Sequence, residues 1–399
     1  MGTSRRVLLS AAGLVGLAAS SVAASEPASA AAQKNALGLL DVTTYGAVGD
    51  NVTLCSDAFD QAMADAQEGD VVYLPPGVYR LSRPVYMKRN VTLLGAVPPP
   101  RWPYKSGAPS RIKADTGTWA GDALVVFQDK ETSGASVELE GAGLVNVAID
   151  CVAVTSPTAP RGIQAIGHVQ DIRVENVSVW NSKAEAIYLY ELTRADGSVQ
   201  ICSGWRFKEV SVNLGTTAFS LYHVTDSNFY DCLAVGQTGS GFYLANGSDN
   251  HFESCRAVFG GTKGFYLNGN NGSVQLVNCS TDRNQQHGFY LTCNSGAQAI
   301  LLSNCYARRD GAAGGSYAGL AVNAPGSDPH CPVIVNGFAC HVNKDDDGGG
   351  IAGPQYGVLV SAGIEYLALT GAVLQGTTDA FSDATGKVVK TAVFENSWP

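Results

Sequence analysis

The tetrapeptides Gly241-Phe242-Tyr243-Leu244, Gly264-Phe265-Tyr266-Leu267 and Gly288-Phe289-Tyr290-Leu291 recur at steps of 23 and 24 residues. A unit that short cannot bury an apolar face alone, so it must stack on its neighbours. The repeat extends backward through Ala218-Phe219-Ser220-Leu221, Ala186-Ile187-Tyr188-Leu189 and Gly162-Ile163. With longer loops it continues forward to Gly319-Leu320 and Gly357-Val358-Leu359. Each unit carries a second short apolar strand, residues 229–234, 252–257, 276–281 and 302–307. Short β-branched or aromatic strands, Gly/Asn/Ser turns and a period in the low twenties predict one coil per repeat. The expected fold is all-β: a right-handed parallel β-helix with an N-terminal capping helix.

Ten cysteines would first suggest disulfides in an exported protein. In the repeat register, however, Cys232, Cys255, Cys279 and Cys305 take the same place in four successive coils, so they read as a ladder of small buried residues. One thiol per coil makes a line of sulfurs about 4.8 Å apart rather than a tetrahedron, and no metal site is expected from them. Cys331 and Cys340 are candidates for a bridge in a late loop. The five Asn-x-Ser/Thr sequons, Asn90-Val91-Thr92 and Asn246-Gly247-Ser248 among them, read as turn chemistry.

The chain opens with Arg5-Arg6 before a modest apolar, small-residue stretch that runs to about Ala32. This is the layout of a twin-arginine export signal over residues 1–30, with Ala28-Ser29-Ala30 as the cleavage site and 31–39 as a linker. The expected location is therefore extracellular. No later stretch is apolar for long enough to span a membrane. The formal net charge is −9, and removal of Arg5, Arg6 and Glu26 would make it one unit more negative. Such a balance argues against nucleic-acid or anionic-membrane partners.

After the linker come Asp41-Val42-Thr43-Thr44-Tyr45-Gly46-Ala47-Val48-Gly49-Asp50, a helix-like stretch over 56–66, then Gly69-Asp70-Val71-Val72-Tyr73-Leu74-Pro75-Pro76-Gly77-Val78-Tyr79 and Asn90-Val91-Thr92-Leu93-Leu94-Gly95. This segment, 40–95, resembles the N-terminal cap and first coils of the pectate-lyase-like superfamily, in its rhamnogalacturonase, epimerase and tailspike-related branch. Residues 96–399 would then be coils with insertions and a C-terminal cap. Ser56 is expected to cap an amphipathic helix whose Ala58, Phe59, Ala62 and Met63 close the open end of the β-helix. Pro75-Pro76-Gly77 would turn the corner between strands.

The sequence departs from the family at several motifs. Asn51 follows Asp50, and Leu54-Cys55 stands where family members carry paired acids. The polygalacturonase branch uses Asn-Thr-Asp, Asp-Asp, Gly-His-Gly and a late Arg-Ile-Lys. Here Arg111-Ile112-Lys113 comes early, Gly167-His168 is followed by Val169, and the acidic cluster Asp345-Asp346-Asp347 lies in a glycine-rich loop. Asp328-Pro329-His330 is similar to the Asp-Pro-His of alginate C5-epimerases but lacks the Tyr-Gly-Phe that leads into it.

Strand alternation selects the outward residues. With Phe242 and Leu244 inside, Tyr243 points out, and Tyr188, Ser220, Tyr266 and Tyr290 extend the row. Tyr190 and Tyr222 join that face, and Ala186, Ala218, Gly241, Gly264 and Gly288 are expected to form a low floor beside it. Aromatic rings along a shallow groove suit sugars, while exposed tyrosine is also a good strand former that stacks between coils.

Two groups of acid/base candidates flank the row. At one edge Glu191 and His223 occupy equivalent positions on adjacent coils, beside an insertion over 192–203. At the other, Lys263 and His287 are stacked neighbours, with Asp282 and Arg283 in the preceding turn. A carboxylate beside an imidazole favours proton transfer, and cations beside a uronate acidify its C5 proton. The simpler alternative is structural in each case: a surface ion pair at a turn for Glu191 and His223, and solvated corner charges for Lys263, His287, Asp282 and Arg283. A glycosidase would need two carboxyl groups about 5–9.5 Å apart, and no such pair stands on the tyrosine face.

The expectation is a secreted carbohydrate-active enzyme, a lyase on a uronate-containing glycan. A glycoside hydrolase or fructan-transferring enzyme is the alternative of the same fold. A non-catalytic glycan-binding protein or a small-molecule cyclase or isomerase is the alternative of another class. The partner is a polysaccharide or oligosaccharide, the assembly a monomer or homotrimer, and calcium a candidate cofactor without a specific ligand set.

Overall fold

The computed structural model describes residues 34–101, 109–117, 119–128, 139–151, 160–292, 298–323, 332–342, 353–361 and 363–396. Successive coils wind as a right-handed parallel β-helix, most of them adding one strand to each of three long parallel sheets. We call them A and B, of 13 strands each, and C, of 11. One coil shows the plan: Asn228–Tyr230 in sheet A, Leu233–Val235 in sheet B and Phe242–Ala245 in sheet C. The next coil repeats it with His251–Glu253, Arg256–Val258 and Phe265–Asn268.

The single apolar strand expected over 229–234 is therefore two strands. A residue in the left-handed region breaks it, and Asp231, Ser254, Asn278 and Asn304 hold that corner in four consecutive coils with φ between 47° and 56°. Asn and Asp tolerate this conformation better than other non-glycine residues. The repeat alignment itself is reproduced strand for strand. Ile163, Ile187, Phe219, Phe242, Phe265, Phe289, Leu320 and Val358 are consecutive partners across sheet C.

In-register stacking fills the interior with like against like. The rings of Phe219, Phe242, Phe265 and Phe289 stack at 4.6, 4.5 and 5.1 Å. Phe207, Phe229 and Phe252 form a second column at 4.9 and 4.4 Å. Cys232, Cys255, Cys279 and Cys305 follow the left-handed corner residue and are buried with free thiols. Each Sγ donates to a carbonyl one coil back, those of Phe207, Phe229, Phe252 and Leu276 respectively, at 3.3–3.8 Å. Burial pushes the Cys255 and Cys279 thiols well above the ordinary range. Cys340 also carries a free buried thiol, so the bridge considered for it is not formed; Cys331 lies outside the described residues.

The cap helix spans Ser56–Asp65 and buries Ala58, Phe59, Ala62 and Met63, as its pattern predicts. Its N-cap is Cys55, without a side-chain cap bond, rather than Ser56. The Ser56 hydroxyl instead accepts from the backbone N–H of Ser82, which ties the helix to the coil beneath it. At the Pro-Pro-Gly corner, Gly77 has φ of 153°, and a Cβ there would lie 2.9 Å from Gly49 Cα. The export-signal segment lies outside the described residues. No helix among those described is long and apolar enough to cross a membrane.

One acid sits inside the solenoid. Asp310 is fully buried and accepts from Thr281 Oγ1 at 2.6 Å and from the Asn284 backbone N–H and Nδ2 at 3.0 and 2.8 Å. Desolvation outweighs these bonds and raises its carboxyl to about 7.

Two outcomes follow from this packing. The thiols of Cys232, Cys255, Cys279 and Cys305 should resist alkylation in the native protein and react on denaturation; rapid native labelling would overturn the buried ladder. Asp310 ionises near pH 4 in the unfolded chain and at about 7 in the folded one. Its contribution to stability is complete below about pH 4 and is lost as pH rises through about 7. Asp310→Asn should therefore flatten denaturant stability over that window, with a gain on the order of 2–4 kcal/mol at pH 8 relative to pH 4. An unchanged pH slope would contradict the assignment.

Candidate functional site

The outward row of sheet C is one continuous ridge of phenol rings. Tyr188 stacks on Tyr190 at 5.4 Å, Tyr190 meets Tyr222 at 4.8 Å and Tyr222 meets Tyr243 at 5.2 Å. Tyr243, Tyr266 and Tyr290 continue at 5.1 and 5.2 Å. Ser220, the row's one small member in this stretch, is buried, and Tyr222 from the adjoining row spans the gap. Most contacts are tilted or edge-to-face, between 54° and 66°. Neighbouring rings thus occupy part of one another's faces, and the ridge presents ring edges and phenol oxygens. Amide donors complete it: Asn268 Nδ2 reaches the Tyr243 hydroxyl at 2.9 Å and Asn323 Nδ2 the Tyr290 hydroxyl at 3.2 Å. Burial holds the Tyr188 and Tyr266 phenols above their ordinary range and pushes Tyr222 up to about 12, so these three stay protonated.

The low floor expected beside the ridge does not exist. A Cβ added to Gly241 would lie 2.6 Å from Ala257 Cβ, and one on Gly264 would lie 2.5 Å from Thr281 Cγ2. Ala186 and Ala218 are fully buried. Simple alternation fails at this corner because the chain is still turning into the sheet, so the small residue and the phenylalanine after it both face inward. The interior row of sheet B leaves no room for a larger side chain there.

Glu191 and His223 come together as predicted. His223 closes a sheet C strand in the left-handed region, φ 50°, and its Nδ1 contacts Glu191 Oε2. Both side chains reach solvent, at 40% and 26% exposure for His223 and Glu191. The insertion after Glu191 is an antiparallel hairpin, Leu192–Thr193 against Val199–Gln200.

At the other edge, Lys263 Nζ lies over the rings of Tyr266 and Tyr290, 4.8 and 5.3 Å from their centres. Desolvation pulls its ammonium below the usual range. His287 is nearly buried, lies flat on Tyr290 at 4.8 Å and meets Tyr317 edge-on. Its Nδ1 accepts the Ala318 backbone N–H at 3.1 Å, which puts the ring proton on Nε2. Burial first, then the Lys263 charge, lowers its imidazole to about 4. At neutral pH His287 is thus an uncharged donor whose basic nitrogen is occupied.

Asp282 and Arg283 belong to a different cluster. Both Asp282 carboxylate oxygens are taken: Arg309 binds them in parallel at 2.9 Å, and Arg308 adds a contact at 2.8 Å. Arg283 lies 3.6 Å from the same carboxylate and over the ring of Phe259. This group closes a corner of sheet B and leaves Asp282 no basic oxygen.

Sequence reasoning missed a third group. Arg161 lies over the Tyr188 ring at 4.1 Å, donates from Nε to Glu185 Oε2 at 3.0 Å and from Nη1 to Gln164 Oε1 at 2.9 Å. The signal was present, because Arg161, Glu185, Thr217, Ser240, Lys263 and His287 all precede the small residue of the repeat. Asp328-Pro329-His330 and Asp345-Asp346-Asp347 lie outside the described residues. Among those described, no group of three or more His, Cys, Asp or Glu could hold a metal ion.

Residues 39–266 match the family model described as rhamnogalacturonase A/epimerase, pectate lyase-like. The fold is similar to that of a mannuronan C-5 epimerase A-module from Azotobacter vinelandii, with a TM-score of 0.62 at 16% identity over 89% of this chain and 98% of that one. A second epimerase A-module of the same organism gives 0.57 at 17% identity, over 88% and 96%. The enzymatically active domain of tailspike protein 2 from bacteriophage CBA120 gives 0.59 at 11% identity, over 86% of this chain and 48% of that one. At these identities the likeness concerns the fold. No curated protein sequence matches.

If the ridge binds sugar, replacing Tyr243 and Tyr266 by Ala should weaken oligosaccharide binding by about 1–3 kcal/mol in total, by analogy with base–aromatic stacking. Each change also removes ring contacts with two neighbours, so a stability loss of about 1 kcal/mol apiece is expected in denaturant titration. Unchanged affinity with reduced stability would leave the ridge a packing feature alone.

Proposed function

Because the chain belongs to the rhamnogalacturonase A/epimerase, pectate lyase-like family, we propose that it is an exported carbohydrate-active enzyme that cleaves a uronate-containing glycan by elimination along the tyrosine ridge of sheet C. The observation that carries this reading is the Glu191–His223 pair at the end of the ridge, accessible and walled by a hairpin. In this reading Nδ1–H of His223 donates to Glu191 Oε2, which orients the ring. Nε2 is then the basic nitrogen: it removes the C5 proton of a uronate, the C5–H electron pair becomes the C4=C5 double bond, the bond from C4 to the glycosidic oxygen breaks, and that oxygen leaves with a proton from solvent.

Elimination also needs a cation at the sugar carboxylate, where charge grows as the proton leaves. In this reading the cation comes from Arg194, whose backbone N–H donates to the Ser198 carbonyl in the turn of the hairpin. The similarity in fold to the epimerase modules supports a uronate substrate, since their names place them on mannuronan. Hydrolysis fits less well. Glu185 and Glu191, the carboxylates flanking the ridge, stand beyond opposite ends of the strand Ile187–Tyr190, and each already has a basic partner. His287, neutral and with Nδ1 occupied, serves as packing for Tyr290 rather than as the base.

Polygalacturonate, alginate, rhamnogalacturonan and inulin should be offered to the purified protein, with ultraviolet absorbance reporting unsaturated ends. Unsaturated product from a uronate polymer is expected. Glu191→Gln and His223→Ala should lower turnover by about 10²–10⁴-fold, whereas His287→Ala should retain most of it. Loss of turnover in His287→Ala with full activity in His223→Ala would move the active centre to the Lys263 edge. Reducing sugar without unsaturation would mean hydrolysis, and binding without turnover a non-catalytic module.

A further inference from the structure

The row that precedes the repeat's small residue has a cation resting on the ridge at two places: Arg161 on Tyr188, and four coils later Lys263 on Tyr266 and Tyr290. Between them stand Glu185, which pairs with Arg161, and the small hydroxyl residues Thr217 and Ser240. We propose that Arg161 is the far anchor of a binding track parallel to the helix axis, and that the ligand is an acidic glycan long enough to reach from Arg161 to Lys263. The proposal rests on the sheet C reading given above and adds the direction and minimum length of the bound glycan; the track follows the edge of the strands opposite Glu191 and His223.

Three observations support it. First, Arg161 is held in advance. Two of its five N–H groups bind Glu185 Oε2 and Gln164 Oε1, and the guanidinium carbon lies over the Tyr188 ring, 4.1 Å from its centre. Gln164 is 5% exposed, so this side of the fork is fixed by the body of the solenoid. The three remaining N–H groups, which have no partner among the described residues, form a planar edge of the kind that binds a carboxylate in parallel. Preorganisation lowers the entropy lost on binding.

Second, the Arg161–Glu185 pair has the complementary chemistry of a sugar acid. The guanidinium takes the carboxylate, and the Glu185 oxygens accept from ring hydroxyls. Glu185 keeps 32% of its side chain exposed. Third, the spacing suits a chain laid along the axis. Coils are about 4.8 Å apart, close to the advance of one sugar residue in an extended glycan, so four coils place the two cations about 19 Å apart. A pentasaccharide is the shortest chain whose terminal carboxylates meet both.

Chain-length dependence tests this directly. Saturated oligogalacturonates and oligomannuronates of two to eight residues would be titrated calorimetrically into the His223→Ala protein, with methyl-esterified oligomers as neutral controls. Affinity is expected to climb to five residues, level off there, and fall sharply on esterification. Arg161→Gln should weaken pentamer binding by about ten- to a hundredfold, the loss of one charge-assisted contact, and shift the plateau to shorter chains. Arg161→Lys, which keeps the charge and loses the fork, should recover part of the loss.

A plateau at two or three residues, or an equal loss in Arg161→Gln at every length, overturns the track. If turnover on uronate polymers survives that result, the sheet C reading stands without it. Failure of every acidic oligomer to bind overturns both.

Discussion

Everything in this molecule depends on one constraint: each coil must stack in register on the one before it. No single turn of about two dozen residues encloses a core, so the inner faces are buried only when equivalent residues of neighbouring coils meet. The phenylalanine columns at ring spacings of 4.4–5.1 Å are the direct expression of this. A slip of one residue in a sheet C strand such as Phe242–Ala245 or Phe265–Asn268 would turn its phenylalanine to solvent and its tyrosine inward. Register is therefore enforced by the interior and read out on the surface.

The tyrosine ridge is a consequence of that enforcement. Rings held one coil apart must touch, and so the ridge is at once a packing feature and a ligand surface. The charged groups around it inherit the same order. Arg161 and Lys263 rest on ring faces because the row they occupy runs beside the ridge, and Glu191 meets His223 because adjacent coils end at the same corner. Variation enters through loop length, and the hairpin after Glu191 is the described example. One edge of an otherwise regular sheet thereby gains a wall.

Burial separates groups that look alike in sequence. His223 and His287 both sit at an end of a sheet C strand, yet one is accessible and paired with a carboxylate while the other is desolvated, neutral and bonded to backbone. Asp282 and Glu191 are both acids beside the repeat. The first is consumed by Arg308 and Arg309, with Arg309 almost fully buried. A coulombic attraction at that depth organises structure rather than chemistry.

The period and its alternation were enough to specify the parallel β-helix, the inward phenylalanines, the outward tyrosines, the buried thiol ladder and the meeting of Glu191 with His223. All of these are nearest-neighbour properties of a repeat, and a repeat is visible in one dimension. Corners were not legible. The break at Asp231, the inward turn of Gly241 and the N-cap at Cys55 depend on single backbone dihedrals that residue type permits but does not dictate. Nor were the partners of Asp282, the buried nitrogen of His287 and the stacking of Arg161 on Tyr188, because each requires knowing which side chains a corner brings together and how much water it leaves them. The sequence by itself determined which residues recur and which face they share. Only the tertiary structure decided which of them remain accessible, charged and unspent, since desolvation and side-chain pairing are set by three-dimensional neighbours that no single repeat contains.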